Sequence, residues 1–341
     1  MTKIIRIGMD ISKNTFELHG VDEAERPVLR KKLRRYDVER FFGRLEPTVI
    51  GMEACGGAHH WARVLRGLGH EVRLLPPQYV KPYVKRGKND AADAAAICEA
   101  MSRPSMRFVP VKTAEDQAAL VLLGTRELLN KQRTMLINSL RGHAAEFGIV
   151  AAKGDSGVDS LLERIAVSPA VPELARDGLA ELAHQIEALD ARIAGLEVRL
   201  RAWHRANACS RRLATIPGIG LITACALAMK VADPSVFRSG RHFAAWLGLT
   251  PKDHSTAGRQ RLGVITRAGD QTLRHLLVSG ATTVIQHAKP GRASPWLLAL
   301  LARKPKKLAA VALANKMARV AWVVMTRGET YQRPATTEPI R

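Results

Sequence analysis

The first third of the chain alternates apolar and polar positions in short runs. Lys3 to Met9 is rich in β-branched residues and leads into Asp10. Thr15 to Gly20 and Pro27 to Leu33 follow, each set off by turn-like polar residues, so three extended segments are predicted. Tyr36 to Leu45 has helical character. Thr48 to Met52 is a short apolar run of the kind that fills a buried central strand, and it runs straight into Glu53. Trp61, Val64, Leu65 and Leu68 recur at helical spacing over Ala58 to Leu68, with Gly69 placed to cap that helix. Val72 to Leu75 predicts another strand, closed by Pro76-Pro77. A basic loop from Lys81 to Lys88 comes next, and Asn89 is suited to cap an Ala-rich helix that runs to about Met101. Three strands in series, then helices alternating with strands, predict a mixed sheet with helices on its faces.

The rest of the chain changes period. Thr113 to Phe147 is helical throughout, with no internal proline; Gly154 to Gly157 suggests a loop. From Leu179 the apolar positions Leu182, Ile186, Leu189, Ile193, Leu196, Leu200 and Trp203 recur in steps of three and four, the seam of a coiled coil or of a long helical hairpin. Such a seam serves equally to pack within one chain or to join two copies. After Arg212 the pattern becomes mostly helical: Leu221 to Met229, Phe243 to Leu247, Gln271 to His287 and Leu308 to Arg327, with a Gly- and Arg-rich stretch at Gly258 to Thr266. The expected organisation is an α/β domain at 1–112, which the helix 113–147 can extend, then long helices and coiled coil at 113–209. A mostly helical domain at 210–330 and a disordered tail at 331–341 complete it.

Charge narrows the function. Lysine and arginine number 53 against 31 aspartates and glutamates, a formal net charge of +22. A field of that size attracts phosphate backbones and releases their counterions. Aromatics are only 5% of residues, too few for a protein built on stacking platforms. No apolar run is expected to reach the length of a membrane span, and the N-terminus lacks a signal-like apolar segment, so a cytoplasmic protein is expected. Cys55, Cys98, Cys209 and Cys225 are scattered, without a Cys-x-x-Cys pair, and are expected to be reduced thiols.

Against this basic background four acids stand out. Asp10 follows the first strand, Glu53 follows the fourth, and Asp90 and Asp93 share one side of the Ala-rich helix. With the first and fourth strands adjacent, Asp10 and Glu53 converge at one sheet edge, and a helix docked there completes a four-carboxylate pocket. The element order is that of an RNase H-like fold. Hard oxygen ligands suit Mg²⁺, and a pair of such ions can stabilise attacking and leaving oxygens at a phosphodiester. Taken singly, each acid is an ordinary solvated carboxylate or a helix N-terminal charge; the set, in order and at element ends, points to a metal site. Gly8 to Thr15 also has the form of a phosphate loop of actin-like ATPases, but no second Gly-rich loop accompanies it.

Two further motifs are basic or glycine-rich. Ile216-Pro-Gly218-Ile-Gly220 resembles a helix-hairpin-helix turn, whose glycines let backbone N–H groups approach a phosphate; a plain interhelix turn explains it equally well. In Gly248 to Gly263, Ser255 lies in a polar loop near Arg259, Arg261 and Arg267. A hydroxyl among guanidiniums is what a phosphodiester nucleophile needs, and Thr256 offers similar chemistry. Lys81, Lys85, Arg86 and Lys88 add a basic loop suited to nucleic acid.

Together, Gly8-Met-Asp10-Ile-Ser-Lys, Met52-Glu53-Ala-Cys-Gly-Gly, Lys88-Asn-Asp90-Ala-Ala-Asp93-Ala, Ile216-Pro-Gly-Ile-Gly and Gly248-Leu-Thr-Pro with His254-Ser-Thr resemble the DEDD-type transposases of bacterial insertion sequences, relatives of the Piv DNA invertase, over roughly residues 3–330. The resemblance implies a RuvC-like N-terminal domain whose Asp10, Glu53, Asp90 and Asp93 bind Mg²⁺. It further implies a coiled-coil insertion that mediates oligomerisation to a dimer or tetramer, and a C-terminal transposase domain whose nucleophile maps to Ser255. It implies, too, a noncoding bridge RNA that pairs with target and donor DNA, so that base pairing chooses the sequence, and a place at the bacterial nucleoid. In this chain Thr256-Ala-Gly follows the serine where the family pattern has Thr-Gly-Gly or Ser-Gly. Two other functions share part of these features. A RuvC-like junction nuclease needs the acids but not the serine loop; a non-catalytic nucleic-acid binder needs the charge but leaves the acids unexplained.

Overall fold

The computed structural model describes residues 3–85, 89–256, 258–290 and 293–332. The chain divides into two compact units, Met1–Gln117 and Ala118–Arg341.

In the first unit the strands are β1 (Arg6–Ile11), β2 (Thr15–Val21), β3 (Pro27–Arg34), β4 (Val49–Glu53) and β5 (Glu71–Leu75). They form one sheet in the order β3-β2-β1-β4-β5. β1 and β2, and β2 and β3, are antiparallel; β4 is parallel to both β1 and β5. The predicted mixed sheet, with its first and fourth strands adjacent, is therefore present. The helices are α1 (Val38–Phe42), α2 (Ala58–Gly67), α3 (Pro77–Val80) and α4 (Asp90–Ala100). Alternation sends Ile7 and Met9 of β1, with Phe16, Leu18, Ile50 and Met52, to one face. There they pack on Val38, Phe42, Trp61, Ala62 and Leu65 of α1 and α2. The opposite face receives α4, whose Ile97 and Ala100, with Met101 just after the helix, join Leu75 and Val80 in a smaller core.

The second unit is mostly helical. Its elements are α5 (Ala114–Ala145), α6 (Asp155–Val167), α7 (Glu173–Ala206), α8 (Ala208–Leu213), α9 (Leu221–Lys230), α10 (Gly240–Trp246), the hairpin of β6 (Pro251–Asp253) and β7 (Leu262–Ile265), α11 (Gln271–Gln286), α12 (Pro295–Arg303) and α13 (Lys306–Arg327). The heptad seam lies on α7. Leu179 and Ile186 are buried with Ile137, Leu140 and Ala144 of α5 and with Val158, Leu161 and Ile165 of α6, and Leu200 enters the core formed by α8 to α13. Arg126 Nε donates to Glu197 at 2.8 Å, and Arg133 pairs with Asp190, so charged side chains flank the same seam.

Several expectations are corrected. β1 continues one residue past Asp10. The loop expected at Gly154 to Gly157 is the start of α6: Val158, Leu161 and Ile165 gain enough burial to carry Gly157 into the helix. The stretch from Lys81 begins with a short 3₁₀ turn, Lys81–Tyr83, after α3. The Gly- and Arg-rich stretch at Gly258 to Thr266 supplies the second strand of a hairpin. By length and composition α13 could cross a membrane, contrary to the expectation that no apolar run approaches that length. Its Ala314, Met317, Ala318 and Ala321 are instead buried in the unit's core, where it packs on α10 and α11. The tail expected to be disordered lies, from residue 333 onward, outside the described residues.

Candidate active site

Two glycines set how closely α4 approaches the sheet. A Cβ at Gly8 would lie 2.1 Å from the Ala94 carbonyl oxygen and 2.5 Å from the Cys98 nitrogen; one at Gly51 would lie 2.6 Å from Met101 Sδ. At Gly8, where the clash is with backbone, only hydrogen lets the helix rest on β1, whereas at Gly51 the neighbour is a flexible methionine side chain that can give. Gly8 and Asp10 share a strand face, so the first turn of α4 reaches Asp10. Asn89 fixes where that turn begins, its side-chain oxygen accepting the Ala91 N–H at 3.0 Å. Asp90 and Asp93, three apart, then project from the same side of the helix.

The outcome is a carboxylate trio. One ligand oxygen from each of Asp10, Asp90 and Asp93 lies within 4.8 Å of the others. Glu53, at the end of β4, stands outside that trio but within electrostatic reach. Burial, then Asp10 and Asp93, push its carboxyl above the usual range. Asp10 is pushed up to about 6, first by burial and then by Asp93 and Asp90. Like charges held this close call for a cation. The donors are oxygens only, which suits a hard divalent ion such as Mg²⁺ and fits the site expected from the sequence. Glu17 belongs to the same neighbourhood and was not expected. It faces Asp10 across the β1–β2 register, adds to the rise of Asp10 and forms an ion pair with Lys32 at 3.0 Å. Only strand register reveals it; in sequence it is one more polar residue of an alternating strand.

Ser255 lies in the β6–β7 hairpin of the second unit. Its hydroxyl donates to Asp253 Oδ1, its N–H donates to the same oxygen at 2.9 Å, and its Oγ accepts the Arg261 N–H at 3.0 Å. These hydrogen bonds hold the Asp253 carboxyl below the usual aspartate range. The Thr256 carbonyl accepts the Arg259 N–H at 3.0 Å. Arg259, Arg261 and Arg267 are exposed, with no side-chain partner among the described residues. Arg267 adopts φ 57°, where the chain turns back against Gly248. Asp253 is a second residue missed in the sequence; its spacing of two before Ser255 was the available signal.

Gly218 has φ +87°, and a Cβ there would lie 2.9 Å from the ends of Met317 and Val284. A Cβ at Gly280 would lie 1.9 Å from the Gly218 carbonyl. The turn is thus seated against α11 and α13, which accounts for its first glycine by packing. Gly220 is exposed at the N-cap of α9. Lys81 and Lys85 are exposed in the first unit, whereas Arg86 and Lys88 lie outside the described residues.

The chain matches a family described as "Transposase", a DEDD transposase domain, over residues 7–148. Over residues 210–296 it matches the family described as "Transposase IS116/IS110/IS902 family". It is 60% identical to a putative transposase of Sinorhizobium fredii, across 97% of this chain and 86% of that protein. It is 40% identical to the transposase for insertion sequence element IS1111A of Coxiella burnetii, across 97% and 92%. A pilin gene-inverting protein of Moraxella bovis is similar at 24% identity, across 96% and 97%.

Proposed function

The chain belongs to the IS116/IS110/IS902 family of insertion-sequence transposases, enzymes that cut and transfer DNA strands, and we infer that it does so by a serine-linked recombination at a Mg²⁺ site built from Asp10, Asp90 and Asp93 with Glu53. The observation that carries this is the carboxylate trio, three acids within 4.8 Å in a chain of net charge +22. Acids so placed in a phosphate-binding protein are repulsive unless a cation intervenes. The sheet order, with acids on neighbouring strands and on a covering helix, fits an RNase H-like, RuvC-like domain.

A divalent ion bound there, singly or as a pair, supplies Lewis acidity at the phosphoryl oxygens. Asp10, Asp90 and Asp93 would hold it, with Glu53 at the end of β4 completing the acid set. Ser255 is the nucleophile. Its Oγ attacks phosphorus while its proton passes to Asp253, the acceptor it already bonds. The P–O bond to the leaving deoxyribose breaks, its oxygen leaves as an alkoxide that takes a proton from water to become a free hydroxyl, and Arg259, Arg261 and Arg267 neutralise the non-bridging oxygens. The hydrogen bonds at Ser255 favour it over Thr256. Lys81, Lys85, Arg86, Lys88 and the Gly218–Gly220 turn contact nucleic-acid backbone. A noncoding bridge RNA supplies the sequence choice, in keeping with a basic chain that has few base-reading motifs, and the acting species is a homo-oligomer.

The test is a strand-exchange assay on the element's own DNA ends, with the protein purified together with its RNA. A protein–DNA adduct that survives denaturation is expected with Mg²⁺ and with Thr256→Ala, and is expected to vanish with Ser255→Ala or Asp10→Asn. Metal-dependent cutting by Ser255→Ala without any adduct would favour the junction-nuclease alternative. Sequencing the retained RNA should return one species encoded beside the gene; heterogeneous RNA would remove the guide.

A further inference from the structure

β3 is an edge strand of the five-stranded sheet and carries Arg30-Lys31-Lys32-Leu33-Arg34, with Arg35 directly after. Charge on an edge strand blunts unwanted pairing, but one or two lysines suffice for that. The structure adds a second feature. A groove of about 1000 Å³ lies between β2–β3 and α4. Register fixes its floor: Asp10 faces Glu17, which faces Lys32, and Gly8 faces His19, which faces Arg30. All of these share the sheet face on which α4 rests. Ala91, Ala92 and Ala95 of α4 form the wall, and their small side chains keep the groove open along a helix of 11 residues, about 16 Å.

The lining is cationic overall. Arg6, Arg30, Lys31, Lys32, Lys85 and Arg103 outnumber the three glutamates of the lining. Arg6, Lys32 and Arg103 are held by Glu25, Glu17 and Glu99. The Lys32 and Arg103 pairs are exposed on the cation side and exchange partners readily, whereas Arg6 is largely buried and also donates to the Cys98 carbonyl. Arg30 and Lys85 have no anionic partner among the described residues. One side of the groove adjoins the acid trio, since Glu17 lines the groove and faces Asp10.

We propose that this groove seats the sugar–phosphate backbone of a single DNA strand as it runs from the acid trio along β3. It rests on the assignment of that trio as the cutting site. A wall on one side and a strand ridge on the other suit one strand, not a duplex, and cations spaced two apart on β3 meet successive phosphates. Phosphate contacts of this kind position a strand without reading its bases.

The test uses the full chain in EDTA, so that nothing is cut, with a fluorescein-labelled single-stranded oligodeoxynucleotide followed by anisotropy over a range of salt. The double variant Arg30→Gln, Lys32→Gln should weaken binding roughly tenfold and reduce the slope of log affinity against log salt by about 1.4, two contacts at about 0.7 each. Ala95→Phe should weaken binding with no change of charge, and thermal melting checks that each variant folds. Arg192→Gln with Arg199→Gln, on an exposed side of α7, should leave the slope unchanged. An unchanged slope for the groove pair, or an equal loss for the α7 pair, would overturn the proposal. So would a larger loss for an RNA oligonucleotide of the same sequence, which would make RNA the occupant, or an equal loss for duplex DNA. Strand cleavage by Asp10→Asn reads the acid-trio assignment separately: persistent cutting would remove the trio from the reaction and leave the binding result standing as a site without a cutting end.

Discussion

The Ala94 carbonyl oxygen occupies the space that a side chain at Gly8 would need, 2.1 Å from where its Cβ would sit. That contact sets the height of α4 above β1, and with it the distance from Asp90 and Asp93 to Asp10. Gly8→Ala must lift the helix or bend the strand, since the clash is with backbone. A loss of about 3 kcal/mol in unfolding free energy is expected from overpacking. Divalent-metal affinity should fall further than stability alone accounts for. Urea unfolding with and without Mn²⁺ measures both; a variant that folds and binds metal normally would show that the seat of α4 does not build the site.

Asp10 makes the metal site sensitive to pH. Its carboxyl in the fold is raised to about 6, above an ordinary aspartate, so between those values the folded chain holds a proton that the unfolded chain has lost. Asp10 alone therefore adds stability to the metal-free fold as pH falls from 7 through 6 toward 4, while His59, held down at about 4 by burial, works against it over the same range, so the Asp10 contribution is read as the difference between the unaltered chain and Asp10→Asn. A divalent ion competes with that proton, so the rise in melting temperature caused by Mg²⁺ or Mn²⁺ at pH 7.5 should shrink at pH 5.5. A metal-induced shift that is the same at both values would separate Asp10 from the ion.

The sheet and three of its associated acids were legible because strands announce themselves by alternation and α4 by its cap. Thr15 and Pro27 mark strand starts within a residue of the observed ones, and Asn89 caps where its sequence says. Long-range register was not legible. Glu17 reads as a solvent-facing strand residue until β2 is laid against β1, and the groove beside it needs both that register and the close seat of α4. Glu53 illustrates a further limit: the sequence places it at a strand end but not at what distance from the trio. In the second unit the loop expected at Gly154 to Gly157 is the cap and first turn of α6, and the helix beyond it was not expected although Val158, Leu161 and Ile165 have a spacing that fits one. α12 was missed although Ser294-Pro295 is a sound start, with the Ser294 side chain accepting from Leu297. Tertiary burial decided both.

Ser255 and Asp253 form a pair whose chemistry can be separated from its geometry. Asp253→Asn keeps an oxygen to accept the Ser255 N–H but cannot take the hydroxyl proton. Adduct formation should slow by about 10²–10³ near neutral pH, within the range of a general base, and should recover in part as pH rises. Thermal stability should be unchanged, because the pair lies on an exposed hairpin. A rate equal to that of the unaltered protein would exclude Asp253 as the acceptor.

The seam of α7 gives the last expectation, one that distinguishes packing within a chain from packing between chains. Leu200 is fully buried in the core of the second unit, while Arg126 and Glu197 are partly exposed beside the seam. Leu200→Ala should cost about 2–5 kcal/mol, because a cavity remains where α7 meets α8 and α9. Arg126→Ala should cost about 1 kcal/mol or less, as partly exposed ion pairs do. Denaturant unfolding at two widely separated protein concentrations reads both values. If Leu200 serves the fold of its own chain, the midpoint of Leu200→Ala falls by the same amount at each concentration. A loss that deepens on dilution would mean instead that the residue holds two copies together, because only an association is sensitive to concentration.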